Sequence, residues 1–292
     1  RGFSEVICPS FEYYDAILAQ ENPIPQEMLF KVTECTGRIL ALRPDITTPI
    51  ARIAATKLPE DAFPARLFYQ QRVYRATMPG TGHNTETMQG GVELIGLSGL
   101  ETDLEIILLA VDALRACTEQ KIHIEIGHAG FFKALAEELR MDEMQRERMR
   151  TLVENKNFAG LQDLLEEYPD SRAKQALSKL SRMFGGEEVL DLAEEYAGSS
   201  AVLCHLNHLR TLYRRLRSAG VEACVSIDLG LVHQMEYYTG IILRGYVEGA
   251  GRAVLSGGRY DSLIACFGRD LPAIGFAIDV DAVAESKRRE AR

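Results

Sequence analysis

Two polar side chains four positions apart, Gln89 and Glu93, lie in a stretch that otherwise carries the apolar residues of a strand. Side chains at even spacing share one face of a strand, so these two groups lie on the same side, with Gly91 between them. Because Gly91 has no side chain, the pattern predicts open space between an amide and a carboxylate. A carboxylate and an amide that face a void are unusual on a strand that also carries Val92, Leu94 and Ile95, although a polar strand edge facing solvent explains the same pattern.

Three further segments place polar or aromatic groups close together. Residues 42–49 include Asp45 and Thr47 and suit either a ligand site or a turn with a helix cap at Thr47 or Thr48. Residues 237–240 and 256–261 combine tyrosines with glycines. A Gly-Gly pair at a strand end lets a ligand approach the backbone, but a plain turn at 257–258 is the simpler interpretation.

Cys204, His205 and His208 are the one group that invites a metal interpretation. The spacing places His205 and His208 on one face of a helix. No carboxylate or second thiol completes the four ligands that zinc prefers. We therefore predict a helix surface or core here, and neither a metal nor another cofactor.

A hairpin must position the first pair of polar groups. Residues 67–75 and 88–96 are both typical of strands and are joined by a loop rich in proline and glycine, which predicts an antiparallel pair that ends near Arg75. Ser98 and Glu101 have capping-box spacing and predict the start of a helix that runs to Cys117.

The middle of the chain has a different character from both ends. Residues 129–219 carry leucine and charged residues at helical spacing and predict about five or six helices. Strand patterns occupy 1–128 and 220–292. Strands at both ends with helices between them favour an α+β fold, in which an antiparallel sheet flanked by helices carries a helical insertion at 129–219.

Composition excludes several classes of protein. The 292 residues carry a net charge of −9, which argues against nucleic-acid binding, and the densest basic run is 287–289. No apolar stretch approaches the length of a membrane span, so we expect no membrane association. The six cysteines are scattered without a CxxC pair, which is typical of reduced thiols in a cytoplasmic protein.

Taken in order, these segments resemble the catalytic domain of histidyl-tRNA synthetases, which has the class II synthetase fold. Residues 3–12 resemble the family's first motif, the hairpin at 67–96 its second, and residues 275–278 its third. Residues 231–240 resemble the histidine-specific segment, and 257–261 resemble the glycine loop beside it. The resemblance covers about 1–127 and 224–283.

This resemblance implies a histidine pocket. In the family, residues at the positions of Asp45, Thr47 and Gln89 hold the α-amino group, and Asp45 is a shorter acid than the usual glutamate. Glu93 and Tyr238 match the residues that bracket the imidazole ring. The full histidine-binding set implied is Asp45, Thr47, Arg75, Gln89, Glu93, Tyr237, Tyr238 and Tyr260.

The same resemblance implies that the adenylation machinery is altered. Arg75 matches the arginine that grips the ATP α-phosphate, but the acid two positions later is Thr77 here. The family's arginine and glycine in the histidine-specific segment are replaced by His233 and Gln234, and its third-motif arginine by Ala282. We also expect no anticodon-binding domain in the few residues after the third motif.

A chain that keeps the histidine pocket but has altered adenylation residues resembles a second family, the regulatory subunits of ATP phosphoribosyltransferase. The resemblance implies a non-catalytic chain that activates a short-form catalytic subunit in the first step of histidine biosynthesis and transmits feedback inhibition by histidine. It further implies self-dimerisation through the first motif within a hetero-octamer. The alternatives are a truncated or divergent synthetase, and an amino-acid-binding module tied to another enzyme.

Overall fold

The computed structural model describes residues 1–19, 24–77, 84–232 and 237–290. His233 and Gln234, two of the positions at which the chain departs from the synthetase pattern, lie outside these ranges. Within the described residues, no helix is both long and apolar enough to cross a membrane.

Two sheets form the framework. The strands are β1 (Ser4–Glu5), β2 (Phe11–Tyr13), β3 (Lys31–Thr33), β4 (Ile39–Leu42), β5 (Ala65–Tyr74), β6 (Glu86–Ile95), β7 (Ile122–His128), β8 (Phe184–Gly185), β9 (Val225–Asp228), β10 (Ile241–Val247), β11 (Leu255–Arg259) and β12 (Ala273–Asp279). The large sheet has the order β1-β5-β6-β12-β11-β10-β7-β9-β8, and the small sheet has the order β2-β4-β3. In the large sheet β1–β5 and β7–β9 pair in parallel and the other neighbours are antiparallel. This mixed, mainly antiparallel sheet with flanking helices confirms the predicted α+β class.

Helices flank the sheet and fill the middle of the chain. They are α1 (Tyr14–Leu18), α2 (Thr47–Thr56), α3 (Leu100–Cys117), α4 (Ala129–Glu138), α5 (Glu143–Glu154), α6 (Phe158–Glu166), α7 (Arg172–Ser178), α8 (Glu188–Glu194), α9 (Ser200–Ser218) and α10 (Val280–Glu290). The six from α4 to α9 lie in the stretch predicted as helical. Their buried residues, such as Leu135, Leu161 and Leu206, belong to the same apolar core as Ile124 of the sheet. The helices therefore share one continuous apolar core with the sheet, and the domain boundaries at 129 and 219 stay a prediction.

The predicted hairpin is confirmed as β5 and β6. Tyr69 pairs with Gly91, Gln71 with Gln89 and Leu67 with Glu93. Because directly opposed residues of an antiparallel pair share a face, this register places Tyr69 on the same side of the sheet as the Gln89–Glu93 pair.

Two local predictions were wrong. Ser98 does not cap α3: the residue before the helix is Gly99, with a φ of 95°, and no side chain caps this end. Gly257 and Gly258 do not form a turn but lie inside β11, opposite Phe276 and Gly275 of β12. A Cβ on Gly257 would overlap the carbonyl oxygen of Gly275, so glycine here permits close approach of two strands rather than a change of direction.

Candidate functional site

One cavity brings together every residue of the implied histidine-binding set. It lies over the strands β5, β6, β11 and β12 and is closed by the start of α2 and by the segment before β10. The predicted residues on its wall are Asp45, Thr47, Arg75, Gln89, Glu93, Tyr237, Tyr238 and Tyr260. The cavity is also lined by Tyr69, Ser256, Gly257, Gly275, Phe276 and Ala277. Ser256 and Gly257 belong to the candidate cluster at 256–261, and the last three belong to the segment 275–278, but the sequence assigned none of the six to the pocket.

Glu93 is the central ionisable group of the cavity, and the residue is only 1% exposed. Its Oε1 accepts a hydrogen bond from the Thr47 hydroxyl at 2.7 Å, and its Oε2 accepts one from the Tyr260 hydroxyl at 2.5 Å. Burial raises the pKa of Glu93 to about 7, although the two hydroxyls oppose this shift. No arginine, lysine or histidine of the described residues pairs with this carboxylate, so it can bond a ligand that brings N–H donors or positive charge.

Asp45 is buried at the start of α2 and has a local structural role. One carboxylate oxygen accepts from the Thr48 backbone N–H at 2.7 Å, and the other accepts from the Thr48 hydroxyl at 3.1 Å. The helix cap predicted at Thr47 or Thr48 is thus supplied by Asp45 instead, because its side chain reaches a free N–H of the first turn. Burial raises the pKa of Asp45, while the Thr48 bonds and the charge of Arg75 lower it.

Arg75 places positive charge at the edge of the cavity. Its Nε donates to the Pro44 carbonyl at 2.7 Å, which holds the guanidinium beside the Asp45 segment. Arg75 and Gln89 also line a second, adjacent cavity, together with Thr77 and Arg252. The first cavity therefore combines two buried carboxylates with a cation at its edge, a charge pattern suited to an amino acid.

Two glycines leave room for side chains that line the cavity: Gly275 for the Glu93 carboxylate and Gly91 for the Tyr69 ring. A Cβ on Gly275 would overlap Glu93 Oε2, so the carboxylate lies directly across the backbone of β12. The open space predicted above Gly91 is occupied: a Cβ there would lie 2.5 Å from the Tyr69 hydroxyl oxygen. That prediction was wrong because the side chain that fills the space comes from the opposite strand.

Three tyrosines form one wall. The rings of Tyr237 and Tyr238 have centroids 4.9 Å apart, and those of Tyr237 and Tyr260 are 5.8 Å apart. Burial raises the pKa of all three phenols, so they are neutral at physiological pH. This wall is apolar on its ring faces and polar at its hydroxyls, which suits an aromatic heterocycle such as imidazole.

A buried ion pair holds the end of β11, directly before Tyr260. Arg259, the residue before it, donates from Nε and Nη2 to Asp103 Oδ1 at 2.8 and 2.6 Å. His208 of α9 bonds the other oxygen of Asp103 through Nε2 at 2.8 Å. The carboxylate thereby ties three elements, α3, α9 and β11, next to the cavity.

The histidines of α9 pack against the sheet rather than forming a ligand cluster. His208 contacts Asp103, and the His205 ring lies 4.4 Å from that of His128. Burial lowers the pKa of His128 to about 3, with help from the two neighbouring histidines. Among the described residues, no group of three or more histidine, cysteine or acidic side chains could hold a metal ion.

Ala282, where the family's third-motif arginine would stand, is a buried residue at the start of α10. Its N–H donates to Asp279 Oδ1 at 2.9 Å, and its methyl group packs into the main core. A methyl group supplies neither the charge nor the planar fork of a guanidinium.

Known proteins share both the sequence and the fold. The sequence profile described as histidyl-tRNA synthetase matches residues 1–283. The ATP phosphoribosyltransferase regulatory subunit of Clostridium kluyveri is 42% identical over 288 residues, which are 98% of this chain and 74% of that protein. A crystal structure from Bacillus halodurans, described as an ATP phosphoribosyltransferase regulatory subunit/histidyl-tRNA synthetase, has a TM-score of 0.89 and 34% identity, and covers 98% of this chain and 74% of that chain.

A more distant structure shares the fold alone. It is the ATP phosphoribosyl transferase (HisG:HisZ) complex from Thermotoga maritima, with a TM-score of 0.71 and 22% identity over 96% of this chain and 92% of that chain. The sequence profile and the 42% identical relative each cover nearly the whole chain. The chain therefore belongs to the histidyl-tRNA synthetase-like family, in the branch whose members are named ATP phosphoribosyltransferase regulatory subunits.

Proposed function

We propose that this chain is the regulatory subunit of an ATP phosphoribosyltransferase. It joins a short-form catalytic subunit, activates it in the first step of histidine biosynthesis and transmits feedback inhibition by histidine. Its relatives carry that name over nearly the whole length of this chain. The catalytic residues would then lie on the partner, and the cavity described above would be the sensor.

One observation carries the sensor role: the Glu93 carboxylate is buried in the cavity with two hydroxyl donors, and no arginine, lysine or histidine of the described residues forms an ion pair with it. A ring N–H of histidine would supply the missing donor. Asp45, Thr47 and Gln89 would hold the α-amino group, and Arg75 would attract the α-carboxylate. Calorimetry should detect one histidine site per chain, and a complex with the catalytic subunit that binds no histidine would refute the sensor role.

The altered adenylation residues support a non-catalytic chain. Thr77 replaces an acid beside Arg75, and Ala282 replaces an arginine with a buried methyl group. Loss of one preorganised charge-stabilising group typically costs roughly 10²–10³ in rate. Histidine-dependent pyrophosphate exchange into ATP should therefore be absent, and robust exchange would instead favour a divergent synthetase.

The small sheet, whose strand β2 overlaps the first motif, supports self-dimerisation through that motif. Its alternation places Phe11, Tyr13, Leu40 and Val32 on one face, and the register of β2, β4 and β3 keeps them together. Phe11, Tyr13 and Val32 are exposed. Contiguous exposed apolar residues are typical of protein interfaces, and a second copy presenting the same face would bury them symmetrically. Such dimers would join catalytic subunits in the proposed hetero-octamer.

Val32→Glu is expected to dissociate this dimer, because each chain would then bury an unpaired carboxylate in a symmetric apolar interface. Sedimentation equilibrium should give a dimer for the parent and a monomer for the variant. Met144→Glu is the control, since Met144 is 81% exposed on α5, outside the small sheet. A parent monomer, or a Val32→Glu variant that dimerises as tightly as the parent, would contradict the proposed interface.

A further inference from the structure

Tyr69 lines the cavity with a hydroxyl that nothing in the described chain satisfies. The residue is 2% exposed, and its hydroxyl oxygen is buried with no hydrogen-bond partner among the described residues. Buried hydroxyls are ordinarily paired, so an unpaired one calls for an explanation. A phenylalanine would fill the same space above Gly91 without burying an unpaired polar group.

The position of this hydroxyl points to the ligand. It lies over Gly91, between Gln89 and Glu93 along β6. The negative charges of Glu93 and Asp45, together with burial, hold the pKa of Tyr69 well above its ordinary value. The phenol therefore remains a donor when a ligand enters.

The neighbouring hydroxyls are already engaged. Tyr260 and Thr47 each donate to Glu93, and the Tyr238 phenol bonds with that of Tyr237. An imidazole that donates one N–H to Glu93 presents a second ring nitrogen, which in the neutral ring is an acceptor. Of the phenols that line the cavity, Tyr69 is the one whose hydroxyl is buried without a hydrogen-bond partner within the described residues.

We propose that the Tyr69 hydroxyl bonds the imidazole ring of bound histidine directly and acts as a specificity-determining residue of the pocket. This inference rests on the proposed function, because it takes histidine as the ligand. A site that bonds both ring nitrogens leaves a buried polar group unpaired when an analogue lacks one of them, and it therefore rejects that analogue.

Tyr69→Phe tests the inference because it removes only the hydroxyl. We expect calorimetry to show about tenfold weaker binding of histidine, while the melting temperature of the free chain stays level or rises by about 2 °C. Histidinol lacks the carboxylate and imidazolepropionate lacks the amino group, so a ring contact predicts the same fold-loss for all three ligands. The control is Tyr246→Phe, since that hydroxyl donates to Glu125 outside the cavity, and its histidine affinity should not change.

The binding results for the parent and for Tyr69→Phe distinguish the inference from the proposed function. If the parent binds histidine and Tyr69→Phe binds it within twofold, the inference is overturned while the proposed function stands. It is also overturned if only one of the three ligands loses affinity, or if affinity and melting temperature fall together by a large amount, which would indicate a structural role. A parent chain that binds no histidine, alone or with its catalytic subunit, overturns the proposed function and this inference with it.

Discussion

Replacing Glu93 with glutamine is expected to weaken histidine binding at least about 100-fold. The carboxylate can accept from a ring N–H while Thr47 and Tyr260 hold it in place, whereas an amide must turn an N–H₂ group toward one of these donors. Charge-assisted hydrogen bonds are also about twice as strong as neutral ones. Calorimetry on the parent, on Glu93→Gln and on an exposed control, Glu119→Gln, measures the effect directly.

The same substitution should remove a loss of stability that the free parent chain undergoes at neutral and alkaline pH. The pKa of Glu93 is raised from 4.5 to about 7, so its protonated form is favoured in the folded state. The resulting stability is fully present below pH 4.5 and is lost as the pH rises through about 7. At about 1.4 kcal/mol per pKa unit this loss is about 3 kcal/mol in the parent, and glutamine does not ionise.

Urea unfolding at several pH values tests this part of the prediction. The stability of Glu93→Gln relative to the parent should increase between pH 5 and pH 8, while that of Glu119→Gln should not change. Binding of histidine within tenfold of the parent would contradict the role of Glu93 in the pocket. A relative stability independent of pH would contradict its ionisation in the folded chain.

Asp103→Ala is expected to lower the free energy of unfolding by about 3–5 kcal/mol. Asp103 is 1% exposed, and it holds both the Arg259 guanidinium and the His208 ring. Removing one partner of a buried ion pair leaves the other charge buried and uncompensated, which is the source of the large cost. Because Arg259 precedes Tyr260, weaker histidine binding should accompany the loss of stability.

A matched control lies on the same helix. Glu101 of α3 also makes two bonds to an arginine of α9, Arg215, but both side chains are largely exposed. Exposed ion pairs contribute about 0–1 kcal/mol, so Glu101→Ala should cost far less than Asp103→Ala. Equal costs for the two variants, measured by urea unfolding, would show that the buried pair has no special importance.

Short-range features could be predicted from the sequence. Aromatic and β-branched composition and the turn residues between the strands located β5 and β6, and even spacing placed Gln89 and Glu93 on one face, because both patterns depend on neighbouring residues in the sequence. The six helices between β7 and β9 followed from helical periodicity in the same way. The prediction that the pocket residues lie together rested on resemblance to a family, because no local sequence pattern indicates that Asp45 lies near Tyr260.

Long-range contacts could not be predicted. Asp103 and Arg259 are 156 positions apart, and nothing in either local sequence indicates their ion pair. The Gly257-Gly258 pair resembles a turn, and only the pairing of β11 with β12 shows why glycine is needed. The position of Tyr69 above Gly91 follows from the pairing of these two residues in the hairpin. The sequence predicted the hairpin but not which residues of its two strands are paired.

The most direct test of the central claim is the phosphoribosyltransferase activity of the catalytic subunit, measured alone and with this chain, and titrated with histidine. We expect little activity from the catalytic subunit alone, marked activation by the parent chain and inhibition of that complex by histidine. The complex with Glu93→Gln should remain active and resist histidine. A catalytic subunit equally active without this chain, or a Glu93→Gln complex as sensitive to histidine as the parent complex, would contradict the account.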